Sequence, residues 1–226
     1  MNIFILSWII ENCVKYHCDK HVVKMILETA QLLSTCHHVV NSVQAQVWTH
    51  DNLIYRKTHQ NHPCSIWLRE CRENYIWLCH LGIALCNEYA YRYDKKSEDH
   101  KCYSKLMFLI THVPDLPSNN GSITVPKMAM PDKYKSTDPI LSYRTYYLND
   151  KVRMLVWRKR GPPPWVPKHL QYMHYQSENQ RLDSKLSQLK GKVKKTAEHL
   201  TQISQLTTEI DQLKLQYQIV LSEINQ

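Results

Sequence analysis

The sequence predicts an all-α protein, with a compact helical domain followed by a C-terminal coiled-coil helix. Glycine is scarce: the 226 residues include four glycines, against ten prolines and fourteen tyrosines. This composition disfavours β-hairpins, Rossmann turns and Gly-rich phosphate loops. After Gly161–Trp165 the composition changes to Gln, Ser, Lys and Leu. We therefore expect a helical, basic domain over residues 1–167 and a coiled-coil tail over residues 168–226.

Four segments of the first domain have recognisable patterns. A short apolar run leads into a helix expected from about Ile10 to His38. Asn61-His62-Pro63 is typical of a helix start and predicts a second long helix from Cys64 to about Asp94. The proline-rich stretch from Val113 to Asp132 is expected to be a loop. A last helix is expected from Asp138 to Lys159.

Apolar residues of the tail step by four and three, which is typical of a heptad seam. They are Leu182, Leu186, Leu189, Val193, Thr196, Leu200, Ile203, Leu206, Ile210, Leu213, Tyr217, Val220 and Ile224. A single helix with one apolar stripe is marginally stable in water, so a partner helix is expected. It comes either from another copy or from the same chain folded back, and we favour a homo-oligomer through residues 176–226.

The charge of the chain indicates an anionic partner. The formal net charge is +9 and the isoelectric point is near 9.1. Residues 168–226 hold eight basic and six acidic residues, so most of the positive excess belongs to the first domain. Nucleic acid is the partner that most often selects Lys, Arg and Tyr together, and it makes DNA the expected ligand.

The eight cysteines contain no C-x-x-C pair. Four of them, Cys64, Cys71, Cys79 and Cys86, fall at steps of seven and eight on one predicted helix, too far apart for disulfides. They are expected to be reduced thiols of a cytoplasmic or nuclear protein. The apolar opening is too short to cross a bilayer and lacks a basic leader, so neither a membrane nor a secretory role is expected.

Four titratable residues form a stripe on the first predicted helix. His17, His21, Lys24 and Glu28 stand at i, i+4, i+7 and i+11, a spacing that lines them along one face. The stripe is interpreted as a site. A solvated face with i,i+4 pairing is the plain alternative.

Zinc is a third interpretation of the same helix. His17-x3-His21 has helical ligand spacing, and Cys18 or Asp19 would assist. The sequence lacks a second ligand pair in a recognisable motif, so no metal or other cofactor is expected.

Several segments resemble a family of mostly uncharacterised proteins of tailed phages and large DNA viruses. They are Tyr16–Leu33, Asn61-His62-Pro63 with Trp67, Glu88-Tyr89 with Arg92-Tyr93, Met130-Pro131-Asp132 with Tyr134-Lys135, and Tyr143-Arg144 with Tyr146-Tyr147. The resemblance spans nearly all of residues 1–165 and leaves the tail outside. It implies a virus-encoded protein of the host cytoplasm or nucleus, and it implies no particular reaction.

The layout also resembles the phage pyrimidine-dimer DNA glycosylases of the endonuclease V type. These are small, basic, all-helical enzymes that excise a damaged base and nick the abasic strand. They attack with the α-amine of a mature N-terminal Thr, whereas this chain begins Met1-Asn2. Their catalytic Glu on the first helix falls near Lys24 here.

The resemblance suggests a glycosylase with lyase activity in which side chains of the stripe share the work. Such an enzyme needs an unprotonated amine for a Schiff base, and like charge with partial burial favours that form of Lys24. Glu28 or Asp19 would stabilise positive charge on the sugar, and His17 would protonate the leaving base. The catalytic candidates are Lys24, His17, Glu28, Asp19 and His21.

A second set of side chains is expected to hold the DNA. The candidates are His62, Arg69, Arg92, Tyr143, Arg144 and Tyr147. The basic ones would bind phosphates and the tyrosines would divide between groove and core. Arg69 and Arg92 have an alternative role as surface ion pairs with Glu73 and Glu88.

The expected function is thus DNA binding, with glycosylase and AP lyase activity on damaged or modified bases of duplex DNA. Two other classes stay open. One is a non-catalytic viral DNA-binding or scaffold protein that oligomerises through its tail. The other is a transferase or hydrolase that acts on modified bases or nucleotides.

Overall fold

The computed structural model describes residues 1–191 and 196–224. These ranges are helical and contain no strand, so the predicted all-α class is confirmed. The chain forms two units, Met1–Leu155 and Val156–Gln226. Residues 156–167, which the sequence assigned to the first domain, belong with the tail helices.

The first unit contains seven α-helices in its described residues, joined by loops and short 3₁₀ turns. The helices are α1 (Ile10–Tyr16), α2 (Asp19–Val40), α3 (Ser42–His50), α4 (Pro63–Leu68), α5 (Arg72–Tyr93), α6 (Tyr103–Thr111) and α7 (Pro139–Asp150).

The two 22-residue helices α2 and α5 pack antiparallel at the centre of this unit. Arg92 near the end of α5 bonds Asp19 at the start of α2, and Tyr75 near the start of α5 bonds His37 near the end of α2. Gly82 of α5 permits the close approach, because an added Cβ would lie 2.8 Å from a side-chain carbon of α2.

The first expected helix is interrupted at His17 and Cys18. Both residues have extended backbones, with ψ of 132° and 160°. The Arg92 guanidinium donates to the carbonyls of Lys15 and His17, which replaces hydrogen bonds of a continuing helix. His17 therefore lies ahead of α2 and not on its polar face, so the four-residue stripe is wrong at its first member.

Two other expected helices differ from the structure, and one observed helix was not expected. The second long helix is divided into α4 and α5, because Cys71 is extended with φ of −157°. The last helix ends at Asp150 and not at Lys159, and α6 was not predicted. The loop at 113–132 is confirmed up to the 3₁₀ turn at Asp132, and its fold is fixed by three hydrogen bonds from the loop to Glu73.

The tail is a helical hairpin and not one long helix. Helix α8 spans Lys168–Lys190 and α9 spans Ala197–Ile224. The helices run antiparallel, since Lys168 at the start of α8 pairs with Glu223 near the end of α9. The long C-terminal helix is thus present, but the chain folds back before it.

Part of the predicted seam packs inside this hairpin. Its buried cluster is formed by Leu182, Leu189, Leu206 and Ile210, with Leu186, Ile203 and Leu213 packed against them, and Val220 is buried as well. Leu200 and Ile224 are exposed, and Val193 lies outside the described residues. The folded-back alternative therefore supplies the helix partner, while the homo-oligomer stays a prediction.

The remaining expectations concern thiols and membranes. All eight cysteines are unpaired and buried, as expected of reduced core thiols. No helix within residues 1–191 and 196–224 has the length and apolar character needed to cross a membrane.

Candidate active site around Glu28

The carboxylate of Glu28 lies among three nitrogen atoms. Lys24, one turn earlier on α2, places its Nζ 3.2 Å from Oε1. The backbone nitrogen of Asn2 donates to Oε2 at 2.8 Å, and the terminal amine of Met1 lies 3.9 Å from the same oxygen. Glu28 is buried, so its charge is offset mainly by these groups. We call Met1, Asn2, Lys24 and Glu28 the Glu28 cluster.

The side chain of Asn2 fixes the start of the chain against this carboxylate. Its Nδ2 donates to the carbonyl of Ala129 at 2.9 Å, and its Oδ1 accepts from the Tyr143 hydroxyl at 2.9 Å. The Cys64 thiol lies 3.8 Å from the same oxygen. Groups from the 113–132 loop, α4 and α7 thus converge on one residue and preorganise the cluster.

His62 borders the cluster from the start of α4. Its Nδ1 accepts from the backbone nitrogen of Cys64 at 3.2 Å, which caps the helix. Burial lowers the pKa of His62, the terminal amine and His59 lower it further, and Glu28 acts in the opposite direction. The predicted site residue His62 is therefore within electrostatic range of Glu28 and the terminal amine, as a neutral imidazole near pH 7.

Lys24 is the most accessible member of the cluster. Its side chain is 64% exposed, whereas the Glu28 side chain is 10% exposed. The partial burial that the sequence-based argument invoked for this amine is absent. The amine is instead accessible to a ligand from solvent while it contacts a buried carboxylate.

His17 and His21 are core residues and not members of this site. His17 is fully buried, with its Nδ1 bonded to the carbonyl of Cys13 at 2.7 Å, and burial lowers its pKa to about 4. His21 bonds the Tyr147 hydroxyl and stacks on Phe4, and burial lowers its pKa to about 3. Because both rings are neutral and enclosed near pH 7, the proposed role of His17 as the acid for the leaving base is wrong.

Asp19 and Arg92 belong to a buried ion network at the other end of α2. Arg92 is 0% exposed and donates from Nη1 to Asp19 at 2.9 Å and from Nε to Glu88 at 2.7 Å. Its guanidinium also holds the two carbonyls at the end of α1. The expected phosphate contact of Arg92 and the expected sugar contact of Asp19 are therefore wrong, because neither group is accessible.

The other predicted DNA-binding residues divide between structural and surface positions. Tyr143 and Tyr147 are fully buried, so they belong to the core and not to a groove. Arg144 donates from Nε and Nη2 to the carbonyl of Leu6 at 3.1 and 2.9 Å. Arg69 donates to the Gln60 carbonyl and to Ser65 Oγ, and not to Glu73 as in the ion-pair alternative.

The sequence argument missed Met1 and Asn2. The resemblance to enzymes that attack with a terminal amine was the available signal. In the resembling glycosylases the catalytic Glu falls near the position of Lys24. In this chain the carboxylate lies one helical turn further on, at Glu28, where it contacts the first two residues. The Glu28 carboxylate therefore lies near two amines, those of Lys24 and Met1. The sequence comparison had aligned the catalytic Glu of the resembling glycosylases with Lys24 and not with Glu28.

The zinc interpretation lacks its ligand set. Nδ1 of each of the two histidines is bonded within the core. In the described parts of the chain, no three His, Cys, Asp or Glu side chains are grouped as metal ligands.

No family model, curated protein or solved structure matches this chain. The two resemblances given above therefore stay predictions, and the site is interpreted from its own geometry.

Proposed function

We propose that the protein binds DNA and acts as a glycosylase with AP lyase activity on damaged or modified bases in duplex DNA. The observation that carries the proposal is the buried Glu28 carboxylate between the Lys24 amine and the terminal amine of Met1. Schiff-base chemistry at a sugar uses an amine as the nucleophile, and a carboxylate within reach of that amine can accept its proton.

The carboxylate has two tasks in this mechanism. As the bond between base and sugar C1′ breaks, Glu28 stabilises the positive charge that develops on the sugar. The amine then forms a bond to C1′ and passes one proton to Glu28, which is its second task. That proton moves to the ring oxygen as the C1′–O4′ bond breaks and the protonated Schiff base forms. Elimination at C2′ and C3′ releases the 3′ phosphate, which produces the nick.

Two amines can attack, and they differ in access. Lys24 has an exposed side chain, so a deoxyribose can reach its Nζ directly. The terminal amine of Met1 is enclosed, but the glycosylases that the layout resembles also attack with a terminal amine. We assign the attack first to Lys24 and make the terminal amine the alternative.

Proton transfer at this site is assigned to the imidazole of His62. The environment of His62 includes both Glu28 and the terminal amine. With His17 enclosed, His62 takes over its proposed role in proton transfer to the departing base, once DNA supplies nearby phosphate charge.

Borohydride trapping tests the proposal. The full chain is incubated with duplex DNA that contains an abasic site or ultraviolet damage, and the reduced adduct is located by peptide mass spectrometry. We expect an adduct on Lys24 that Lys24→Ala abolishes. Lys20→Ala is the matched control, because Lys20 is exposed on the same helix one turn earlier.

The outcomes distinguish attack by Lys24 from attack by the terminal amine, and both from a protein without lyase activity. An adduct that persists in Lys24→Ala and maps to residue 1 assigns the attack to the terminal amine. Neither adduct nor nicking with any of a range of damaged bases would exclude the lyase mechanism. Mass spectrometry of the released products tests the transferase or hydrolase alternative, which predicts altered bases or nucleotides without a trapped adduct.

A non-catalytic DNA-binding or scaffold protein is the second candidate. The exposed apolar side chains of α9, including Leu215 and Ile219, favour it because they offer a surface to another helix. In this case DNA affinity falls steeply with salt and is unchanged by alanine at Lys24 or Glu28.

A further inference from the structure

A polar cleft of about 470 Å³ lies beside α2 in the first unit. One wall is Gln31 of α2 and the other is formed by the end of α3 and the segment after it. Its polar lining is Gln31, Thr49, Asn52, Arg56, Lys57 and Thr58. The lining contains two cations and no carboxylate, so the cleft is suited to an anion.

The segment that bears these cations is held firmly on α2. Thr35 Oγ1 donates to the carbonyl of Thr58 at 3.0 Å and accepts from the Thr58 backbone nitrogen at 3.1 Å. The backbone nitrogen of Tyr55 donates to Ser34 Oγ at 3.0 Å. The ammonium of Lys105 donates to the backbone carbonyl and Oδ1 of Asn52. The cleft is thus preorganised, which reduces the entropy cost of binding.

Arg56 and Lys57 are exposed neighbours without a counter-charge. Neither has a carboxylate within ion-pair distance in the part of the chain that the structure describes. The carboxylate of Asp51, five residues before Arg56, lies 3.2 Å from His50. Two adjacent unneutralised cations attract phosphate, Arg through its planar fork and Lys as a point charge.

The cleft and the Glu28 cluster share helix α2. Gln31 follows Glu28 by three residues, so the two lie on one side of the helix, separated by about 4.5 Å of axial rise. The segment that contains Arg56 and Lys57 continues to His62, which borders Glu28. A DNA strand that occupies the cleft can therefore place its next nucleotides at the cluster.

We propose that the Arg56–Lys57 cleft binds the phosphates that flank the target nucleotide and so positions one DNA strand at Glu28. This inference rests on the proposed function and assigns it a backbone contact. Phosphate contacts of this kind fix the register of the strand and carry no sequence information.

Equilibrium binding of the full chain tests the cleft. The probe is duplex DNA with a tetrahydrofuran abasic analogue, measured by fluorescence anisotropy between about 50 and 200 mM salt. The test variant is Arg56→Gln/Lys57→Gln. The charge-matched control is Lys15→Gln/Lys95→Gln, two exposed lysines at the Arg92 end of the α2–α5 pair. Thermal unfolding by circular dichroism confirms that both variants fold.

We expect the cleft variant to bind about 10-fold more weakly, with a salt slope smaller by up to about 1.8 because each lost phosphate contact removes about 0.9. The control should keep the wild-type slope. Equal losses in the two variants would show a general charge effect and overturn the inference. Inorganic phosphate at constant ionic strength should compete for the Arg56- and Lys57-dependent part of the affinity, because the cleft is proposed to hold backbone phosphates.

Borohydride trapping with wild-type protein is run in parallel to separate the two proposals. An adduct together with equal losses in both variants refutes the cleft and retains the enzyme. A specific loss in the cleft variant without any adduct retains the cleft as a DNA contact and refutes the enzyme.

Discussion

The backbone nitrogen of Asn2 donates a 2.8 Å hydrogen bond to the carboxylate of Glu28, 26 positions further along the chain. This bond brings the terminal amine into the environment of a buried carboxylate that also contacts Lys24. The proposed chemistry depends on this relationship. Lys24 of α2 contacts the carboxylate on one oxygen, and the first two residues of the chain contact it on the other.

Glu28→Gln should reduce nicking of abasic DNA by about 10²- to 10⁴-fold, because it removes the negative charge and keeps the shape of the side chain. Single-turnover kinetics on a labelled duplex measures the effect. Glu11→Gln on α1 is the control, since Glu11 is exposed. If the two variants nick at the same rate, Glu28 has no role in the reaction.

Arg92→Met should lower the free energy of unfolding by about 3–5 kcal/mol, because Asp19 and Glu88 are then buried without their cation. Urea unfolding followed by circular dichroism measures the loss. Arg72→Met changes an exposed arginine at the start of the same helix and should have little effect. A loss of similar size in both variants would show that the Arg92 ion network does not specifically stabilise the fold.

Stability should fall as pH is lowered from about 6.5 towards 4. Burial lowers the pKa of His17 to about 4 and that of His21 to about 3, so the unfolded chain binds more protons over this range. Their contribution is fully present above the unfolded pKa and is lost as pH falls through the folded values.

The comparison of two histidine variants checks this pH dependence. His17→Gln should flatten the acid slope of the free energy of unfolding by up to about 1.4 kcal/mol per pH unit, the value for one proton. His50→Gln is the control, because His50 is 90% exposed. An unchanged slope in His17→Gln would show that His17 takes up a proton in the folded protein.

Association through the tail should weaken when the exposed stripe of α9 becomes polar. Leu215 is 62% exposed and Ile219 is 43% exposed, and neither is among the residues of the hairpin core. We expect Leu215→Gln/Ile219→Gln to shift a homo-oligomer towards monomer in sedimentation equilibrium of the full chain, through loss of apolar burial. A wild-type chain that sediments as a monomer at all concentrations would refute the homo-oligomer.

The sequence by itself determined the all-α class, the loop at 113–132 and the placement of Lys24 and Glu28 on one face of a helix. These features depend on composition, proline spacing and helical periodicity, which are local properties of the chain. The division of the first helix was not accessible in this way, because it follows from Arg92 of a distant helix taking the carbonyls of Lys15 and His17.

Only the tertiary structure decided which polar residues form a site. His17, Asp19 and Arg92 have residue types that suit catalysis or phosphate binding, yet packing encloses them. Asn2 has no motif of its own, yet hydrogen bonds from three separate segments place it at Glu28. Periodicity specifies the face of a helix, whereas the contact made by that face depends on the packing of elements far apart in sequence.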